Sequence, residues 1–212
     1  MNRDLSQVRQ DFLKMKLDEG QFIQHPVIHV KEWLNEAIKN NIQEPTAATL
    51  ATVSEQNRPS SRVILIKHID ELSGFWFFTN YLSRKGKQLE LNHFGSLNFF
   101  WPQLERQIRI EGKVEKLSPE QSDVYFNSRP KDSKISAIIS EQSQFIKSRK
   151  ILENKFQSLK SSNKTLIRPQ HWGGYSLIPD MIEFWQGRAG RLHDRIVFEQ
   201  NGNNWNKTRL AP

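Results

Sequence analysis

Three basic residues near the C-terminus are spaced so that they could bind one anion. Arg191, His193 and Arg195 alternate with other residues, and side chains two apart on a β-strand share a face. We therefore predict a strand that presents all three in a row, with Leu192 on the opposite face. Such a row is repulsive unless an anion lies over it. Trp185, slightly earlier, offers a flat surface for an aromatic ring.

This combination indicates a planar, phosphorylated aromatic ligand, although a solvated basic strand edge explains the same spacing. A second candidate phosphate site contains Tyr125, Arg129 and Ser133, because Tyr125 and Arg129 fall four residues apart on one helix face. Asp132 and Ser133 would cap the next helix, where a hydroxyl and free N–H groups favour an anion. Taken singly, Tyr125 could equally be a core residue and Ser133 a plain cap.

Four further polar residues could contact a ligand. Arg84 and Lys85 lie at the predicted start of a short helix, where the helix dipole favours an anion. Gln107 lies on the polar face of its predicted strand and is free to bond a ligand or water. Lys67 shares a strand face with apolar residues, so we expect a half-buried ammonium that needs an anionic partner.

Composition limits the class of protein. The chain has 212 residues, no cysteine and a formal net charge of +8. The absence of cysteine excludes disulfides, thiolate metal sites and cysteine nucleophiles, and no metal site is expected. No apolar run approaches a membrane span and the N-terminus lacks a signal-peptide core, so we expect a cytoplasmic protein. The basic residues are dispersed, which disfavours a nucleic-acid partner.

The hydrophobic pattern predicts helices followed by many short strands. Helices are expected over residues 5–17, from Pro26, from Ser83, over 118–130, from about 133 and over 145–159. Strands are expected over residues 46–53, 61–69, 75–79, 96–101, 107–117, 172–184 and 191–200. We predict one domain over residues 1–212, with an N-terminal helical arm (about 1–40) and a C-terminal strand pair (about 172–212).

This order of elements predicts a mainly β protein with flanking helices (α+β), in which an antiparallel barrel forms the core. The segment from Arg62 to Lys67 is apolar on both faces. We therefore expect it inside the barrel, covered by helices or by a partner.

Several motifs, in order, resemble the pyridoxamine 5'-phosphate oxidase family. They are Glu183-Phe184-Trp185-Gln186 with Arg191-Leu192-His193-Asp194-Arg195, and also Arg62 to Lys67, Ser83-Arg84-Lys85, Leu104 to Gln107, Tyr125 to Pro130, Glu141-Gln142-Ser143 and Arg209 to Pro212. The resemblance extends from about Arg9 to the last residue. It implies an FMN-binding split β-barrel built as a homodimer.

The resemblance also implies site residues. The FMN-binding set is Arg62, Val63, Ile64, Leu65, Ile66, Lys67, Phe78, Thr79, Arg84, Lys85, Gln107, Gln142, Ser143, Trp185 and Arg195. The substrate-binding set is Arg9, Lys67, Tyr125, Arg129, Ser133, Arg191, Leu192 and His193, in which Arg191 and His193 are the catalytic pair. Two positions depart from the family pattern: Phe78 and Phe12 stand where Tyr is often found, which removes a hydroxyl at each.

The implied activity is oxidation of pyridoxamine or pyridoxine 5'-phosphate to pyridoxal 5'-phosphate in vitamin B6 metabolism. FMN takes a hydride from C4', and dioxygen becomes hydrogen peroxide, so the donors are CH–NH2 and CH–OH groups. A non-catalytic FMN or pyridoxal-phosphate binding protein on the same barrel is the alternative, and a basic nucleic-acid binder is the third.

Overall fold

A computed structural model describes residues 11–23 and 25–212. Within that part of the chain there are five α-helices and nine β-strands. The helices are α1 (Pro26–Lys39), α2 (Arg84–Leu91), α3 (Pro119–Ser128), α4 (Lys131–Ile139) and α5 (Arg149–Lys160). The strands are β1 (Ala47–Val53), β2 (Pro59–Leu65), β3 (His68–Asp70), β4 (Gly74–Asn80), β5 (Phe94–Trp101), β6 (Arg106–Lys116), β7 (Trp172–Gln186), β8 (Asp194–Asn201) and β9 (Asn204–Arg209).

All the strands join one antiparallel sheet. The order is β2-β1-β5-β6-β7-β4-β3, with β8 paired to β7 and β9 to β8. The 15-residue β7 pairs with β4 at its start and with β8 at its end, while β6 follows its other edge. The sheet curls into a half-barrel around an apolar core. The prediction of a mainly β protein with flanking helices is confirmed.

Alternation along β6 shows how the sequence orients the sheet. Arg106, Ile108 and Ile110 are buried, while Gln107 and Arg109 are only half-buried. The period of two therefore places Gln107 on the polar face, as predicted. At the bulge in this strand, a Cβ added to Gly112 would lie 2.0 Å from the Ile178 carbonyl oxygen, so only glycine fits there.

The helix that carries Tyr125 begins where the sequence predicts. The Ser118 hydroxyl accepts a hydrogen bond from the Gln121 N–H, and the Gln121 side chain accepts from the Ser118 N–H. This reciprocal capping box, with Pro119 in the first turn, satisfies donors that a helix start leaves free. The capping box fixes the start of α3 and hence the position of Tyr125.

Two predicted helices differ from the structure. Residues 11–17 are not helical, so the helix predicted over residues 5–17 is wrong for that part; its earlier part lies outside the described residues. The α5 helix begins at Arg149, after Ser148, and not near residue 145. Apolar spacing suggested both helices, but in the first segment the Lys14 and Leu17 N–H groups donate to the Glu105 and Asp194 carboxylates, at 2.9 and 3.1 Å, and not to helical carbonyls.

The strand predicted over residues 61–69 is interrupted. The β2 strand ends at Leu65 and β3 starts at His68, because the Lys67 N–H turns to bond the Trp76 carbonyl at 2.8 Å. Moreover, β2 lies at the edge of the sheet, and Val63 is 67% exposed. Within one chain the segment is therefore an exposed edge strand, and cover by a partner stays a prediction.

Within residues 11–23 and 25–212, no helix combines the length and apolar character that crossing a membrane requires.

Candidate active site

A cavity of about 910 Å³ lies between β2, β4, α2, α3 and α4. It brings together most of the site residues predicted from the sequence. Those that line it are Arg62, Val63, Ile64, Leu65, Lys67, Phe78, Thr79, Arg84, Lys85, Tyr125, Arg129, Ser133, Gln142 and Ser143. Three segments that are far apart in the sequence line this cavity: β2 with Lys67, the start of α2, and the junction of α3 and α4.

Three cations lie at one side of the cavity. Lys85 is only 7% exposed, and its Nζ donates to Thr79 Oγ1 at 3.1 Å and to Gln142 Oε1 at 3.3 Å. Arg62 donates to Thr52 Oγ1 at 2.6 Å and to Ser60 Oγ at 2.9 Å. Among the residues that the structure describes, no carboxylate pairs with Arg62, Arg84 or Lys85.

Burial makes this cluster a candidate phosphate site. Desolvation, and then repulsion from Arg62, lowers the pKa of Lys85 to about 8. Desolvation, and then Arg84, also lowers the pKa of Arg62. Ser83 caps α2 by accepting from the Gly86 N–H, which leaves the start of that helix beside the cations. The buried Lys85 and the half-buried Arg62, whose acceptors in the described part of the chain are neutral, are stabilised by a dianion, and the exposed Arg84 adds a third charge. These residues therefore fit a phosphate such as that of FMN.

A second cationic group in the cavity is built on aromatic rings. The Arg129 guanidinium carbon lies 4.6 Å from the centre of the Trp172 ring. Tyr125 stacks on Phe78 with 3.8 Å between ring centres, and Phe78 also stacks on Trp172. Burial raises the pKa of Tyr125 despite the nearby Arg129, so its hydroxyl remains a donor. Burial lowers the pKa of Arg129, although Tyr125 partly opposes that shift.

Two expectations about this group need correction. Ser133 does not cap the next helix, because α4 begins at Lys131 after Pro130 and has no side-chain cap. Ser133 lies instead in the first turn, where backbone N–H groups still lack helical partners. Lys67 is exposed and not half-buried, because β2 has ended and the chain leaves the edge of the sheet.

A second set of predicted residues lies elsewhere in the chain. Gln107 and Arg195 both pair with Trp185 in the sheet. Arg195 donates to both carboxylate oxygens of Glu183, at 2.7 and 3.0 Å, and this bonding raises the pKa of Arg195. The buried Glu183 also accepts from Arg109 at 3.1 Å. Glu183 therefore fixes the Arg195 side chain beside Trp185.

The predicted row of three basic residues on one strand is wrong. The β8 strand starts at Asp194, and Arg191 ends a 3-10 turn. Gly190 and Arg191 both have left-handed backbones, with φ of 64° and 63°, so the chain turns before it enters the strand. Of the three basic residues, only Arg195 belongs to β8, while Arg191 and the 73% exposed Leu192 belong to the turn.

His193 nevertheless lies beside the strand residues. Its ring centre is 4.7 Å from that of Trp185, and Phe12 packs edge-on against both rings. Nδ1 accepts a hydrogen bond from the Arg188 N–H at 3.1 Å, which places the proton of the neutral ring on Nε2. Burial, and then Arg191, lowers the pKa of His193. His193 is therefore a neutral hydrogen-bond donor through Nε2.

The two groups occupy opposite ends of β7. Thr79 of the cavity pairs with Gly173 at the start of this strand, and Trp185 lies near its end. The length of strand between Gly173 and Trp185 is roughly 40 Å, at about 3.3 Å per residue. We call the set Gln107, Trp185, Arg191, Leu192, His193 and Arg195 the C-terminal group; none of its members lines the cavity.

Two predicted residues belong to neither group. Ile66 is in the apolar core, at 3% exposure, because it follows the last residue of β2 and turns inward. Arg9 lies outside the described residues.

The sequence alone did not reveal Trp172, Asn80 or Glu183. Trp172 is the first residue of a strand, and its stacking against Phe78 depends on tertiary contacts. Asn80 directly follows Thr79 and is buried, and its amide donates to the Ser140 carbonyl at 3.0 Å. Glu183 stands two residues before Trp185, so its place on the same strand face was an available signal.

Comparisons with known proteins show which family the chain belongs to. A family model described as pyridoxamine 5'-phosphate oxidase matches residues 34–163, and a pyridoxine 5'-phosphate oxidase C-terminal dimerisation region matches residues 172–212. The pyridoxine/pyridoxamine 5'-phosphate oxidase of Cytophaga hutchinsonii is 48% identical over 216 residues, covering 100% of both chains.

Two solved structures are similar. PhzG from Burkholderia lata 383, in complex with tetrahydrophenazine-1-carboxylic acid, is 32% identical with a TM-score of 0.89, covering 94% of this chain and 99% of that one. A pyridoxamine 5'-phosphate oxidase-related, FMN binding protein from Nostoc punctiforme shares the fold at 15% identity, with a TM-score of 0.73 and coverage of 90% and 99%. From the family matches and the full-length relative together, this chain belongs to the pyridoxamine 5'-phosphate oxidase family.

Proposed function

We propose that the protein oxidises pyridoxamine 5'-phosphate or pyridoxine 5'-phosphate to pyridoxal 5'-phosphate, with dioxygen reduced to hydrogen peroxide. The observation that carries this proposal is the cavity, which holds two clusters of cations whose partners, among residues 11–23 and 25–212, are neutral. Two clusters fit two phosphates, one on the cofactor and one on the substrate. FMN, when bound, supplies the hydride acceptor and the reaction with dioxygen.

Arg62, Arg84 and Lys85 would bind the phosphate of FMN together with the first N–H groups of α2. Thr79 and Gln142, which already bond to each other at 3.1 Å, would hold polar groups of the cofactor. Phe78 offers a ring surface where Tyr is common in the family. Stacking does not need the tyrosine hydroxyl, so we expect activity to be retained.

Lys67, Tyr125, Arg129 and Ser133 would bind the substrate phosphate. The Tyr125 hydroxyl and the Arg129 guanidinium donate hydrogen bonds, and Ser133 adds the first turn of α4. Exposure of Lys67 suits a residue at the mouth of the cavity, where the substrate enters. Fixing the phosphate positions C4' for hydride transfer, and orientation of this kind lowers reaction barriers substantially.

We further propose that the C-terminal group acts on the cavity of a partner subunit in a homodimer. Within one chain the group lies at the far end of β7 from the cavity. The exposed apolar residues of β2, such as Val63, offer a surface for a partner. Across that interface Trp185 and Arg195 would contact the cofactor, while Arg191 and His193 would hold the substrate ring.

The function is tested by following oxygen uptake with FMN-loaded protein and pyridoxine 5'-phosphate. We expect steady formation of pyridoxal 5'-phosphate and hydrogen peroxide, and little turnover of unphosphorylated pyridoxine or of tetrahydrophenazine-1-carboxylic acid. Arg129→Ala should raise KM by roughly 10- to 150-fold, since one charge-assisted contact contributes about 1.5–3 kcal/mol. Binding of FMN and pyridoxal 5'-phosphate without turnover would instead identify a non-catalytic binding protein.

The pKa of Lys85 predicts a pH dependence of cofactor binding. Its ammonium is charged below about pH 8 in the free protein, and only the charged form attracts a phosphate. FMN affinity should therefore be greatest below that pH and should fall as the pH rises above it. Titration of apoprotein with FMN between about pH 7 and about pH 9.5 measures this effect.

The matched control for this titration is Lys85→Met, which keeps the chain length and removes the charge. Its FMN affinity should be lower and nearly independent of pH over the same range. A flat profile in the unmodified protein would remove Lys85 from the phosphate site.

A further inference from the structure

Trp172 lines the cavity beside the substrate-phosphate cluster of Lys67, Tyr125, Arg129 and Ser133. Its side chain is buried, at 6% exposure, and its ring lies nearly parallel to those of Phe78 and Tyr125, with interplanar angles of 16° and 6°. The guanidinium of Arg129 lies over the same ring at 4.6 Å. Trp172 therefore touches both a proposed phosphate-binding cation and the aromatic stack beside it.

The backbone of Trp172 is tied to the helix that carries Tyr125. Its carbonyl accepts from Arg168 Nη1 at 2.8 Å, and Arg168 Nε donates to Asp123 of α3 at 2.6 Å. The next two residues are glycines, and a Cβ on Gly174 would lie 2.8 Å from the Phe78 ring. These contacts fix the Trp172 ring relative to α3.

Arg129 has few other contacts to hold it. Its Nη1 is buried and, within the described part of the chain, has no hydrogen-bond partner; nor does a carboxylate there pair with it. A buried guanidinium N–H without an acceptor is costly. The ring face of Trp172 and a ligand anion are the two groups that offset that cost.

We propose that Trp172 is a positioning residue for substrate recognition: it holds the Arg129 guanidinium flat in the cavity, ready to bind the substrate phosphate. This inference deepens the proposed function and rests on it. Its contact with the Arg129 guanidinium predicts that its effect on phosphate binding passes through Arg129. A ring that only filled the core would lower stability without changing selectivity for the phosphate.

The test is calorimetric titration of FMN-loaded protein with pyridoxal 5'-phosphate and with unphosphorylated pyridoxal. Trp172→Leu should weaken binding of the phosphorylated ligand by roughly three- to thirtyfold, the range expected for a buried cation–π contact. Binding of pyridoxal and retention of FMN should change little. Trp172→Phe, which keeps a smaller ring, should recover part of the loss.

A double-mutant cycle separates positioning from packing. If Trp172 acts through Arg129, adding Trp172→Leu to Arg129→Ala should weaken binding no further. Phe99→Leu is the matched control, since it removes a fully buried ring of the main core cluster, to which Trp172 does not belong. It should lower the melting temperature and leave the preference for the phosphorylated ligand intact.

Additive losses in the double mutant, equal losses for both ligands, or a similar loss in Phe99→Leu would overturn the inference. So would a wild-type protein that binds both ligands equally, because no phosphate site would then exist to position. Tight binding of pyridoxal 5'-phosphate without oxidation of pyridoxine 5'-phosphate would refute the proposed activity alone. The same binding data would then still decide the role of Trp172.

Discussion

Replacing Arg84 and Lys85 together with alanine is expected to weaken FMN binding by roughly a hundredfold to ten-thousandfold. Each cation would make a charge-assisted contact with the cofactor phosphate worth about 1.5–3 kcal/mol, and the double variant loses both. Fluorescence titration of apoprotein with FMN measures the effect. The fold should persist, because Arg84 is exposed and removing Lys85 eliminates a desolvated cation.

The control is Lys87→Ala, an exposed lysine on the same helix that does not line the cavity. It should leave FMN affinity nearly unchanged, which separates a specific phosphate contact from the general positive charge of the chain. If the double variant kept its FMN affinity, the phosphate site would lie elsewhere.

Arg191→Met is expected to lower kcat/KM for pyridoxine 5'-phosphate roughly 30- to 1,000-fold, which corresponds to a loss of about 2–4 kcal/mol of transition-state stabilisation. The guanidinium can stack on the pyridine ring and press it towards the cofactor, and small displacements of reacting atoms are costly. Methionine keeps the length and apolar stem but lacks the charge and the planar group. Steady-state kinetics of the FMN-loaded variant provide the measurement.

The backbone conformation at residue 191 affects arginine and methionine equally, so it does not bias the comparison of the two proteins. Arg191 has a left-handed φ of 63°, which strains any residue with a Cβ, so methionine and arginine bear the same strain. Such strain is often found at functional sites. The bound-FMN spectrum should be unchanged, and Arg191→Lys should fall between the two proteins. Near-normal turnover by Arg191→Met would show that Arg191 is a solvated surface residue and does not act in the active site.

The sequence pattern predicted most of the sheet, and the family resemblance supplied most of the predicted residues that line the cavity. Alternation in β6 and the Ser118 capping box are local signals, so the structure matches them closely. The motif at Arg84 and Lys85 also specified a helix start correctly. Local pattern was sufficient where each residue's environment depends on its near neighbours in sequence.

The remaining errors involve geometry that local pattern does not encode. Alternation placed Arg191 and His193 on a strand, but Gly190 turns the chain before β8 begins. Apolar spacing placed Lys67 in a buried strand, while the edge position of β2 leaves it exposed. The stacking of Trp172 depends on residues from β4 and α3, so no spacing in the sequence predicts it.

Mixed dimers test the central claim most directly, namely that one chain's cavity works with the partner's C-terminal group. The Arg84→Ala/Lys85→Ala variant has a defective cavity, and Arg191→Met has a defective C-terminal group. Unfolding and refolding them together in equal amounts makes half of the dimers mixed, each with one intact composite site. We predict that oxidation of pyridoxine 5'-phosphate recovers to roughly a quarter of the wild-type rate; activity no higher than the average of the two variants refolded separately would contradict the account.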